Sequence, residues 1–182
     1  MRRRSVLLVL GLGACARRAS LPGAPPDATA LPADVSCVPF ARALSGIALA
    51  GDAHRWWAAA EGRYRRSQRP SPGAVLVFAR TRRLPQGHLA VVVREIGARE
   101  VSVAHANWGS GVERGRVRED QAVVDVSPRN DWTLVRVWHP PTGMLGVTAF
   151  PTHGFILPLV AADPARLAAR VPEAARAAAG TL

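Results

Sequence analysis

The sequence predicts an α+β domain in which helices come first and an antiparallel sheet follows. Two observations point to the helices. Residues 37–45 carry apolar positions suited to one buried face and stop at Ser45-Gly46, and a second helical stretch follows Gly51-Asp52. A third points to the sheet: from residue 74 onward, short Val-rich runs separated by turn residues replace the helical pattern.

In chain order, Asp34 or Ser36 can cap the first helix, which starts at Cys37. Asp52 can cap the second, which covers residues 53–60. Arg69-Pro70-Ser71-Pro72-Gly73 is turn chemistry, and residues 74–78 read as a buried strand. Residues 88–95 and 100–108 read as a hairpin with residues 96–99 as its loop. Further strands are expected at 122–126, 133–138 and 154–157. From Ala161 the chain is rich in Ala, Arg and Pro, and short helical turns outside the core are expected there.

With 182 residues, 48% of them hydrophobic, the chain can build one domain with a real core. Its formal charge of +11 is carried entirely by arginine, since lysine is absent. Such a charge favours anionic polymers. The arginines are scattered and no nucleic-acid-binding motif accompanies them, so nucleic acid is not an expected partner.

The first residues form a leader. Arg2, Arg3 and Arg4 precede the apolar run Val6 to Leu12, too short for a typical spanning helix. The run ends in Leu12-Gly13-Ala14-Cys15, which resembles a bacterial lipobox. That resemblance implies cleavage after residue 14 and a lipid on Cys15, anchoring the chain to a membrane. Removal of residues 1–14 leaves 21 arginines against 13 acids, a formal charge of +8. Ala16 is not the aspartate associated with inner-membrane retention in enteric bacteria, so an outer membrane facing the periplasm is expected. Residues 15–33 then read as a tether, 34–158 as the domain and 159–182 as a tail.

The chemistry centres on Cys37. With Cys15 lipidated, Cys37 has no disulfide partner, and an unpaired thiol outside the cytoplasm is a liability unless buried or used. At a helix N-terminus the macrodipole and free N–H groups favour the thiolate. In the hairpin, pairing 95 with 100 sets 88 opposite 107 and 90 opposite 105. Alternation then puts His88, His105 and Asn107 on one face. A thiol packed against that face completes nucleophile, base and orienter. The remaining histidines, His54, His139 and His153, have no metal-ligand spacing, so neither metal nor cofactor is expected. Trp56, Trp57, Trp132 and Trp138 read as core aromatics, and Trp108 as a shield for the histidine hydrogen bond.

These elements together resemble the CHAP domains (cysteine, histidine-dependent amidohydrolases/peptidases). The matching features are Cys37 starting a helix, Gly51-Asp52-Ala53 with Trp56, and Pro72 to Phe78. Gly87-His88-Leu89-Ala90-Val91-Val92 and His105-Ala106-Asn107-Trp108 complete the set. The resemblance implies a papain-like CHAP fold, α+β, with N-terminal helices packed on an antiparallel sheet. It implies that Cys37 is the nucleophile and His88 the base, with peptidoglycan as the substrate. Many family members carry Glu-x-Asn where this chain has His105-Ala106-Asn107, so Asn107 is the expected orienter and His105 a polar support. The expected activity is amide hydrolysis through a thioester by a monomeric protein. The rivals are a non-catalytic wall-binding or envelope scaffold and, more weakly, a thiol acyltransferase.

Overall fold

The computed structural model describes residues 30–109 and 111–179. The expected leader, Cys15 and all of the tether but residues 30–33 lie outside the described residues. The described residues from Leu31 onward form one compact unit.

Helix α1 (Cys37–Ser45) has the predicted bounds. It buries Phe40, Ala41 and Leu44 and ends where Gly46, in the left-handed region, sends its N–H to Arg42 O. Ser36 occupies the cap position, yet its side chain makes no capping bond, and Asp34 is itself left-handed at φ 63°. The second helical stretch is a 3-10 turn (Ala53–Arg55) leading into a short α2 (Trp56–Ala59), with Asp52 at its start.

Eight strands follow among the described residues: β1 (Arg66–Ser67), β2 (Val75–Phe78), β3 (His88–Gly97), β4 (Glu100–Ala106), β5 (Val117–Asp125), β6 (Leu134–His139), β7 (Met144–Leu145) and β8 (Phe150–Ile156). Every pairing is antiparallel, and the order is β1-β8-β2-β3-β4-β5-β6-β7. A further β8–β6 pairing, Leu134 with Pro151 and Val135 with Phe150, closes six strands into a barrel. The expected antiparallel sheet is therefore present, but it curls shut.

Closure gives the strands two apolar faces and explains their lack of polar alternation. Leu76, Ala90, Val92, Val101, Val103, Trp132 and Phe155 fill the barrel. Val75, Val77, Leu89, Val91, Ala104 and Ala106 face outward and pack with α1 and Trp56 in a second core. A strand buried on both sides reads as a continuous apolar run, as Val75-Leu76-Val77-Phe78 does.

The expected tail is a correction. Residues Pro164–Ala178 form α3, whose Leu167, Val171, Ala174, Ala175 and Ala178 are buried in the helical core against α1. Asp163 caps it by accepting Arg166 N–H at 2.9 Å, with Pro164 in the first turn. Pro172 inside the helix removes one backbone bond at a cost of about 3 kcal/mol. Burial of Leu167 and Val171 contributes roughly 1.5–3 kcal/mol each and offsets that loss.

Candidate active site

The approach to Cys37 is fixed before the helix starts. Val35 N–H donates to Gly115 O at 2.9 Å, tying the segment to the β4–β5 loop. Gly115 is left-handed, and a Cβ there would lie 2.7 Å from the Asp34 backbone, so no larger residue fits. Backbone N–H groups of Leu89, Cys37 and Val38 lie close enough to the Cys37 sulfur to favour its charged form. The thiol at the start of α1 therefore rests on β3, beside the residue that follows His88.

His88 begins β3, opposite Phe78 of β2. Gly87 before it is left-handed, and a Cβ would meet His54 N and Phe78 O, both at 2.8 Å. The Gly-His pair is thus a steric requirement for turning the chain into β3. The β3–β4 loop is shorter than expected: Gly97 pairs with Glu100 and Glu95 with Val101. Two irregularities on β3 absorb the offset, so that Val91 faces Ala104 and Val92 faces Val103. The expected alignment is restored at the site end of the hairpin.

His88 and His105 meet there, with Nε2 of His88 3.1 Å from Nδ1 of His105. Asn107 does not join them, which corrects its expected role as the partner of the ring. Strand β4 ends at Ala106, and Asn107 turns left-handed at φ 58°, so strand alternation stops one residue short of it. Its Oδ1 accepts Gly115 N–H at 2.9 Å and its own N–H donates to Arg116 O at 2.9 Å. Asn107 fastens the β4–β5 loop, and His105 is the side chain that holds His88.

Aromatic rings close over the pair. Trp108 lies 4.8 Å from the His88 ring centre and 5.6 Å from that of His105, and it also packs on Phe78 and Phe150. Trp108 shields a histidine hydrogen bond as expected, although the bond is to His105.

Burial sets the charge states. It holds His88 well below its ordinary 6.5, with neighbouring His105 adding to the effect. Burial also pushes His105 down to about 3, with the Arg118 guanidinium contributing. Cys37 moves opposite to expectation: desolvation raises it above its ordinary 9.0 despite the three N–H donors that lower it. The resting site is a neutral thiol beside neutral imidazoles.

Those buried imidazoles make stability depend on pH. Below pH 6.5 the unfolded chain protonates both rings while the folded chain does not, so the unfolded state binds more protons. Stability is complete above pH 6.5 and falls as pH drops toward about 3. His105 alone is expected to remove about 3 kcal/mol between pH 7 and pH 4.5. Urea unfolding at the two values checks this, and equal stability would contradict a buried neutral His105.

Cys37 and His88 line one open cleft of about 1220 Å³, together with Asn107 and Trp108. Its far wall is the β6–β7 hairpin and the segment after it, where Trp138 is 39% exposed and Met144 and Val147 stand in solvent. Trp56 and Trp132 are core residues as expected. Trp138 is not, because it lies on the cleft side of β6. The short strand β7, missed in the sequence, has in Gly143 only a turn signal to mark it. His54 donates from Nδ1 to the Gln86 backbone O, His139 bonds Thr142, and His153 stacks on Trp57.

A helix-borne thiol and a strand-borne imidazole share one cleft, with a second residue holding the ring, an arrangement like that of cysteine–histidine hydrolase sites. Residues 27–107 match the family model of the CHAP domain, a span from before Cys37 through His88 and His105 to Asn107. That span resembles the CHAP domains, which are typically cysteine- and histidine-dependent amidohydrolases. Comparison with curated proteins returns no match.

Proposed function

We propose that the protein is an exported, lipid-anchored amidase or endopeptidase that cleaves amide bonds of peptidoglycan through a thioester on Cys37. The observation that carries this reading is the shared cleft of Cys37 and His88, with the His88 ring fixed by His105. A papain-like relationship fits the helix-borne thiol packed on an antiparallel barrel.

The hydrogen bond dictates the tautomer. For His88 Nδ1 to accept the thiol proton, Nε2 must carry the ring proton and donate it to His105 Nδ1. His105 then keeps its own proton on Nε2, a buried atom with no hydrogen-bond partner among the described residues. In acylation the Cys37 proton passes to His88 Nδ1 as sulfur attacks the amide carbonyl. The tetrahedral oxyanion is held in part by the Cys37 N–H, and His88 returns the proton to the leaving amine. Water then attacks the thioester with His88 as base, releasing the acid and restoring the thiol. Because both groups rest neutral, proton transfer accompanies attack instead of preceding it.

The lipobox-like Leu12-Gly13-Ala14-Cys15 supports an anchor, and Ala16 an outer-membrane location facing the periplasm. The test is digestion of purified sacculi, with the muropeptides followed by mass spectrometry. Products cut at amide bonds, with glycan bonds intact, are expected. Binding to sacculi with no new muropeptide would favour the non-catalytic scaffold.

A further inference from the structure

The cleft carries positive charge that the thiol chemistry does not use. Its lining holds three arginines, Arg42, Arg83 and Arg114, against one carboxylate, Asp52, whose Oδ2 lies 3.9 Å from Arg55 Nε. Arg42 is committed, since its Nε and Nη2 donate to Leu49 O at 3.0 and 2.8 Å. Arg83 and Arg114 are exposed, and their guanidiniums have no hydrogen-bond or ion-pair partner among the described residues.

Both stand on fastened loops. The loop of Arg83 is closed by Thr81 N–H to Leu84 O and by Leu84 N–H to Thr81 Oγ1, each 3.0 Å. The loop of Arg114 is held by the Asn107 side chain at Gly115 N and by Val35 at Gly115 O, the same bond that sets the approach to Cys37. Each guanidinium, on anchored backbone and lining the thiol cleft, suits a carboxylate, which a guanidinium binds through paired charge-assisted hydrogen bonds.

We propose that Arg83 and Arg114 read a carboxylate on the peptide flanking the scissile amide, so that the substrate class is acidic peptide. This deepens the amide-hydrolysis reading and rests on it for the position of the peptide. Asn107, by fixing the β4–β5 loop, is a positioning residue for Arg114.

The test separates binding from turnover. Calorimetry with the Cys37→Ala protein compares the stem tripeptide L-alanyl-γ-D-glutamyl-diaminopimelate with the same peptide whose free carboxylates are converted to carboxamides. The acid is expected to bind about tenfold more tightly. Adding Arg83→Gln and Arg114→Gln should erase that difference and leave affinity for the amidated peptide unchanged. Equal affinity for the two peptides, no binding of either at millimolar concentration, or discrimination that survives both substitutions would overturn the proposal. If the acid is preferred yet the wild-type protein cleaves neither peptide, the subsite stands and amide hydrolysis of this substrate falls.

Discussion

Cys37→Ala is expected to lower amide hydrolysis by about 10⁴-fold or more while leaving the fold intact. The thiol is half-buried at the start of α1, and the helix keeps its buried face of Phe40, Ala41 and Leu44 without it. The loss should therefore appear in kcat and not in the unfolding midpoint. Cys37→Ser is expected to be nearly as inactive, because a hydroxyl is far harder to deprotonate than a thiol and His88 is a weak base in its buried setting. The resting charge state can be read separately by alkylation. Burial places thiolate formation above pH 9.0, so alkylation of the free protein should rise steeply only beyond that pH. Muropeptide release unchanged in Cys37→Ala would assign the reaction to another group. Fast alkylation near pH 6 would show that the ion pair exists before substrate arrives.

The parts of the site written in local sequence were legible. Cys37 at a helix start, the Gly-His turn into β3 and the hairpin between β3 and β4 all follow from short-range signals. The strength of the thiol was not legible, because it depends on burial. The macrodipole argument gives a depressed thiol, whereas the core that packs around Cys37 desolvates it and outweighs the N–H donors. The role of Asn107 was hidden for a geometric reason. Strand alternation holds only while the backbone stays extended, and a left-handed residue at 107 turns the amide toward Gly115.

At the level of the fold, β2, β3 and β4 read as strands but gave no sign of a closed barrel. Closure rests on Leu134 and Val135 meeting Pro151 and Phe150, a long-range pairing that no local pattern encodes. The C-terminal helix differs, since its signals were present. Asp163-Pro164 is a helix start, and 167, 171, 174, 175 and 178 are spaced as one helical face. Pro172 argues against a helix on propensity, and only docking on α1 resolves the conflict in its favour. The domain consequently extends past residue 158, and truncation there would uncover the outer face of α1.

His105→Leu is expected to lower kcat by about 10²–10³-fold with little change in KM. Leucine fills the buried site but cannot accept the Nε2 proton of His88, so the ring loses the contact that fixes its tautomer and angle. His105→Asn retains an acceptor and should recover most of that loss. The informative variant is His105→Glu, which installs the acid that many CHAP domains carry at this place. A carboxylate beside His88 stabilises the imidazolium and raises its pKa from well below 6.5, while Arg118 keeps the new carboxylate ionised. The resting pair should then move toward thiolate and imidazolium, and the onset of Cys37 alkylation should shift to lower pH. A purely structural His105 would leave that onset where it is in the wild type and would make all three variants differ only in stability. Dependence of the alkylation profile on the residue at 105, tracking its capacity to accept a proton, would establish that His105 acts on Cys37 through His88.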